Sequence, residues 1–239
     1  MKKLPILLVA PHCSSFVPEK IRKLMNLSDF EIRYRTDLAT ERIFVNPKTY
    51  NLAAKFSRFV SDLNRPENAK IWRDGQPVNG ILTIAPMHGK AIFREYPSTE
   101  EVKTWVQKYY RPFYQEVGKI LPRVKFLLAG HSHWSCSKRT GTKRADIVLG
   151  DRNGIACDPR LTRKVAAFFR GKNFSVAVNR PFPGGFLLEK FCDKKVCCLQ
   201  IEIKRALYLN EKTLRVRERD VARLNKIIGE LTELLAQEI

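Results

Sequence analysis

Short apolar runs recur along the chain between polar, glycine or proline residues. Runs of this kind predict buried strands at Pro5–Ala10, Phe56–Asp62, Lys125–Ala129, Ile147–Leu149, Phe174–Val178 and Val196–Ile203. Between them, Pro18–Leu27, Asp37–Phe44, Thr99–Leu121 and Pro159–Arg170 carry mixed or helical spacing, and Ser98 or Thr99 ahead of Glu100-Glu101 predicts an N-terminal cap. Val221, Leu224, Ile228, Leu231 and Leu235 form one stripe, which predicts a closing amphipathic helix packed on the body. Strands alternating with helices predict an α/β sheet covered on both faces. Pro66–Pro97 is rich in Gly, Pro and Asn without clear periodicity, so a long excursion near the site, a small hairpin or a lid is expected there. With no repeat and no linker, residues 1–239 are expected to form a single domain.

Composition supports a packed core. Of 239 residues, 44% are hydrophobic and 28% charged, which excludes a disordered chain. Lys and Arg number 44 against 24 Asp and Glu, a formal charge of +20, so a polyanionic partner has to be weighed. The cations are scattered in pairs such as Lys2-Lys3, Lys138-Arg139, Lys143-Arg144 and Lys194-Lys195, with no basic tail and no zinc-finger spacing. A solvated basic surface is the favoured reading, and nucleic acid is not expected as a partner. Lys2-Lys3 before Leu4–Ala10 imitates a signal peptide, but Pro11-His12 cuts the apolar stretch short, and a buried first strand ending in a functional loop is expected instead. No apolar run is long enough to span a membrane, and a soluble cytoplasmic protein is the expectation. The six cysteines, with Cys197-Cys198 inside an apolar run, are read as free thiols, several of them buried, since a chain of this length needs no disulfide staples.

Four residue groups have the chemistry of a site. His12 follows the first strand, and His131 and His133 follow the third, where α/β sheets gather ligands. His88 reads as a turn residue. A hydrolytic zinc site takes three protein ligands, so Asp37 and Glu41 become candidates beside the histidines, with helix capping and an exposed helical face as their ordinary alternatives. Arg58, Asp62, Asn64 and Arg65 crowd the end of an apparent strand, where arginine can bind a carboxylate or an oxyanion, or merely join a surface ion-pair network around Asp62. Glu202 is an acid inside an apolar strand, placed either for general-base work or for pairing with Lys204 or Arg205.

Several segments together carry a family likeness. They are Ala10-Pro11-His12-Cys13-Ser14 with Pro18, Thr36-Asp37, Ser57 to Pro66, Tyr110-Arg111-Pro112-Phe113-Tyr114, Gly130-His131-Ser132, Asn179 to Gly185, and Leu199 to Tyr208. In this order, over nearly the whole chain, they resemble the N-formylglutamate amidohydrolase family, which is similar to zinc-dependent carboxypeptidases and aspartoacylases. The resemblance implies a mixed, largely parallel sheet flanked by helices on both faces, zinc-dependent exopeptidase-like, with one zinc ion per chain at the strand ends. It implies His12, Asp37 and His131 as metal ligands, Glu202 as general base and Arg58 as the oxyanion-stabilising group. Asn64, Arg65, Gly185 and Arg205 fall on the implied substrate-binding surface, with Asn64 and Arg65 holding an α-carboxylate. The implied reaction is hydrolysis of an N-acyl amino acid, N-formyl-L-glutamate first, with small anionic substrates as the partners. A related zinc peptidase or acylase, and a non-catalytic nucleic-acid-binding member of the fold, are the alternatives. The oligomeric state is open. Two departures stand out: Ala129 occupies the position where the family carries an acid two residues before the metal histidine, and Cys13-Ser14-Ser15 replaces a glycine after the first. His133 is also unusual at its position, with a ligand role or substrate contact as its options.

Overall fold

A computed structural model of the chain describes residues 3–87, 89–137, 140–192 and 196–239. In chain order the elements are β1 (Ile6–Ala10), α1 (Glu19–Arg22), α2 (Asp29–Tyr34), α3 (Thr40–Ile43), β2 (Tyr50–Ala53), β3 (Trp72–Arg73), β4 (Gln76–Pro77), α4 (Thr99–Trp105) and α5 (Arg111–Ile120). There follow β5 (Phe126–His133), β6 (Ile147–Gly150), α6 (Pro159–Arg170), β7 (Val176–Val178), α7 (Phe186–Phe191), β8 (Cys197–Lys204) and α8 (Glu218–Glu238).

Six strands form one sheet in the order β2-β1-β5-β8-β6-β7. β2, β1, β5 and β8 run parallel, while β6 is antiparallel to β8 and β7 parallel to β6. The sheet is therefore mixed and largely parallel, as expected. β1, β5 and β6 are buried at every position, and β8 at all but its two ends, because helices cover both faces. One face packs Leu7, Val9, Leu127 and Ala129 against α1, α2, α4, α5 and α7. The other packs Ile6, Leu8, Phe126, Leu128, Leu199 and Ile201 against α3, α6 and α8. The closing helix buries its predicted stripe, including Val221, Leu224, Ile228, Leu231 and Leu235.

Several expectations change in detail. Phe56–Asp62 is not a strand: Phe59 and Val60 are fully buried, but the backbone turns, Val60 N–H and Ser61 N–H both donating to the Ser57 carbonyl. The strand lies earlier, at Tyr50–Ala53, where half-exposed side chains at the sheet edge leave no apolar run to read. The predicted helix Thr99–Leu121 is broken by a π-helical turn at Val106–Tyr110, and its predicted cap is a full capping box between Ser98 and Glu101. A second capping box, Ser28 with Glu31, starts α2, which the spacing did not announce. Part of Pro66–Pro97 forms the β3-β4 hairpin. His88, read as a turn residue, lies outside the described residues, as do the pairs Lys138-Arg139 and Lys194-Lys195. All six cysteines are free, Cys13, Cys157 and Cys198 are buried, and the Cys157 and Cys197 sulfurs lie 2.7 Å apart. Among the described residues no helix is long and apolar enough to cross a membrane.

Candidate metal and substrate site

The C-terminal ends of β1, β5 and β8 open into a cleft of about 390 Å³. His12, Asp37, Arg58, Asn64, Arg65, His131, Gly185, Glu202 and Arg205, all singled out in the sequence, line it together. The strand register explains part of this convergence. β1 carries the chain to His12, and β5 and β8 run side by side so that His131 sits directly opposite Glu202.

His12, Asp37 and His131 are buried, and their ligand atoms lie within 4.8 Å of one another. Asp37 Oδ2 is 3.2 Å from His131 Nδ1 and 3.7 Å from His12 Nδ1. Asp37 lies ahead of α3 and does not cap it with its side chain; its Oδ1 accepts from Ser132 Oγ at 3.0 Å and from Arg205 Nη2 at 2.9 Å. Burial alone would raise this carboxyl, but hydrogen bonds from His12 and His131, together with the Arg205 charge, hold it well below the usual carboxylate range. Glu41, the other candidate carboxylate, stays outside the cluster.

The network around Asp62 is buried, which the surface alternative did not anticipate. Asp62 Oδ1 accepts from His12 Nε2 at 2.7 Å and from the Asn64 backbone N–H at 3.0 Å, while Oδ2 accepts from Arg58 Nη2 at 2.6 Å. Burial pushes the Asp62 carboxyl up, and the Arg58 and His12 charges outweigh it, keeping the group ionised. A carboxylate behind a histidine fixes the ring's tautomer and orientation. It leaves His12 Nδ1 facing Asp37.

Tyrosines behind the cleft pin the next residues. Tyr110 Oη donates to the Arg65 carbonyl at 2.8 Å and Tyr114 Oη to the Leu63 carbonyl at 2.7 Å, which gives the Tyr110–Tyr114 segment its structural work. Asn64 Oδ1 accepts from the Leu187 N–H at 3.0 Å, so α7 is docked on this side chain. Gly185 sits against the Asn64 amide so closely that an added Cβ would fall 2.2 Å from Asn64 Nδ2. Only glycine permits that approach.

Glu202 has neither of the cationic partners considered for it. Lys204 pairs with Asp146 at 2.7 Å, and Arg205 pairs with Asp37. Glu202 accepts instead from Gln200 Nε2 at 2.9 Å, and Gln200 Oε1 accepts from the Gly185 N–H at 3.0 Å. Burial, opposed by the nearby His131 charge, raises the Glu202 carboxyl to about 7. Arg205, 3% exposed, donates to Asp37, to Ser132 Oγ and to the Tyr34 carbonyl, and lies over Trp134 with 4.7 Å from guanidinium carbon to ring centroid. Its geometry is that of a group positioning Asp37.

Other lining residues were given no role from the sequence: Gln200 and Phe182, which lie within the family-like segments, and Tyr34, Arg35, Trp134 and Arg144. His133 also lines the cleft, with Nδ1–H donating to the Trp134 carbonyl at 3.0 Å and Nε2 buried without a partner among the described residues. Burial pulls its pKa down to about 4, so the ring is neutral. It is not part of the His12-Asp37-His131 cluster. His131 Nε2 is likewise buried and unpartnered, and Ala129, fully buried in the apolar core, offers it no carboxylate.

The fold has close counterparts among known proteins. An N-formylglutamate amidohydrolase of Ralstonia eutropha JMP134 superposes with a TM-score of 0.87 at 24% identity, covering 100% of this chain and 95% of that one. The N-formylglutamate deformylase of Pseudomonas putida is 25% identical over 95% of this chain and 90% of its own length. That of Pseudomonas aeruginosa is 27% identical over 98% and 93%. The sequence profile of N-formylglutamate amidohydrolase matches residues 4–209, from before β1 to beyond β8, and the chain belongs to the N-formylglutamate amidohydrolase family.

Proposed function

We propose that the protein is a zinc-dependent amidohydrolase that cleaves N-formyl-L-glutamate to formate and L-glutamate. Two curated relatives matched over nearly the whole chain are N-formylglutamate deformylases. The observation that carries the reading is the buried His12-Asp37-His131 cluster with a carboxyl raised to about 7 opposite His131 in the same cleft. The residues are expected to act as one catalytic domain, since ligands from positions 12, 37 and 131 and the acid at 202 converge in one cleft.

The cluster fits zinc by its chemistry. Two imidazoles and one carboxylate, all buried, make the nitrogen and oxygen set of a hydrolytic site, and each histidine has a ring nitrogen facing Asp37. Zinc, when bound there, supplies Lewis acidity toward the substrate carbonyl and lowers the pKa of a water toward neutrality.

The chain's own groups account for the rest. Glu202, with a pKa near operating pH, takes the proton of the attacking water and hands it to the nitrogen of the leaving amino acid. Arg58, held by Asp62 and by Thr83 Oγ1 at 3.1 Å, presents its guanidinium to the developing oxyanion. Asn64 and Arg65 hold the α-carboxylate, Gly185 lets backbone approach beside them, and binding energy becomes orientation.

Release of the free α-amine by zinc-loaded protein, with the formate or acetate freed alongside it, tests the reading, using N-formyl-L-glutamate against N-acetyl-L-glutamate and a formylated dipeptide. The expected preference is for the formylated amino acid, and turnover of the others alone would replace the reading by a related acylase or peptidase.

A further inference from the structure

The cleft holds more positive charge than one carboxylate requires. Among the described residues five guanidiniums line it: Arg35, Arg58, Arg65, Arg144 and Arg205. Arg58 is ion-paired with Asp62 and Arg205 with Asp37. Among the described residues Arg35, Arg65 and Arg144 have no acidic partner. Arg65 donates to a carbonyl, Arg35 Nε to the Met87 sulfur at 3.4 Å, and Arg144 Nη1 to the Trp134 carbonyl at 3.3 Å. Arg144 Nε is buried with no acceptor. Part-buried guanidiniums of one sign repel one another, so this arrangement is stabilised when anions enter.

The three unpaired arginines are not all at one place. Arg65 adjoins Asn64 and Gly185. Arg35 follows Tyr34 in the chain, Arg144 donates to the Trp134 carbonyl, and the Tyr34 and Trp134 rings pack tilted with centroids 4.4 Å apart. The segment Phe182–Gly185 lines the same cleft. The Phe182 ring packs on Arg144 at 5.1 Å, and Gly185 abuts Asn64. Three Cα steps separate those two residues, at most about 11 Å. A five-carbon diacid reached from both sides by long arginine side chains spans such a distance.

We propose that Arg35 and Arg144 form a second carboxylate subsite, across the cleft from Asn64 and Arg65, that binds the side-chain carboxylate of an acidic acyl-amino acid. The inference rests on the proposed amidohydrolase reading and adds its specificity determinants. Arg144, stacked on Phe182, presents its planar fork to the carboxylate, and Arg35 supplies the second charge.

The test compares N-formyl-L-glutamate with N-formyl-L-glutamine, a neutral substrate of nearly equal shape. In Arg144→Met and Arg35→Met the ratio of their kcat/KM values is expected to fall by about 10- to 100-fold. The change should fall mainly on KM, and Arg144→Lys should restore part of it. A ratio unchanged in both variants, or an equal loss on both substrates, overturns the subsite. Binding of glutarate and butyrate by calorimetry gives a readout independent of turnover. The wild type is expected to prefer glutarate, and Arg144→Met to lose most of that preference; an undiminished preference overturns the proposal. If the wild type hydrolyses neither formyl substrate, the amidohydrolase reading fails, and the glutarate comparison still decides the subsite.

Discussion

The two walls of the cleft are built differently. On the wall made by residues 58–65, the charges next to the His12-Asp37-His131 cluster are answered within the protein: Asp62 joins His12 to Arg58, and Asn64 bonds both Asp62 and α7. On the wall made by the ends of β5 and β8, His131 Nε2 and His133 Nε2 are buried without partners, and Glu202 rests on one amide. A paired wall is organised before anything binds. An unpaired wall is costly until a proton, a metal or a substrate completes it, and in this protein it is the wall that holds the proposed base.

Ranked by size, four changes break or sharpen that contrast. His131→Ala removes a ligand outright, so bound zinc by metal analysis should be lost and formate release with it, a larger drop than the 10- to 100-fold typical of an outer partner. Zinc retained at full stoichiometry would take His131 out of the set and bring His133 forward. Glu202→Gln keeps shape and removes the base, for which about 10²- to 10⁴-fold lower kcat is expected.

The same substitution has a second consequence, on stability. A carboxyl raised to about 7 in the folded state favours folding when protonated, and that advantage is lost as pH rises from its unfolded value near 4.5 through 7. Metal-free Glu202→Gln should therefore melt above the metal-free wild type at pH 8, by a difference on the order of 1–3 kcal/mol. The difference should vanish below about pH 4.5. A lower melting point for the variant at pH 8 would contradict the assigned shift.

Asp62→Asn disturbs the paired wall, leaving Arg58 without its anion and His12 with a weaker support. Zinc affinity should fall by about 10- to 100-fold, measured by competition with a chelator. Gln200→Leu is the mildest, since it cuts only the amide between the Gly185 N–H and Glu202. A loss of about 3- to 10-fold in kcat/KM is expected, near the worth of one or two hydrogen bonds.

Much of this was legible from the residues in order, for a physical reason. β1, β5 and β8 are covered on both faces, so burial imposes largely apolar strands in which the site residues His131, Gln200 and Glu202 stand out as polar positions. α6 starts at Asp158 capping Arg160 N–H with Pro159 in the first turn, a local signal that needs no tertiary context. β2 is an edge strand with half-exposed side chains, and Phe56–Asp62 is apolar because it is buried, not because it is extended. Burial without a ladder looks the same as burial within one. In the site, residues placed by motif were found. Those placed by tertiary contact were not: Arg144 reaches the cleft beside Phe182, and Arg35 comes from the turn after α2, where its place just before Thr36-Asp37 does not say which way its side chain runs.

The contact between Gly185 and Asn64 bears on how this site could evolve. A methyl group at position 185 would sit on the amide of residue 64, and that amide anchors the start of α7. The two positions are thus free to change only together. A lineage shifting to a substrate with a different head group would have to pass through paired substitution, or keep both residues and vary the opposite side of the cleft.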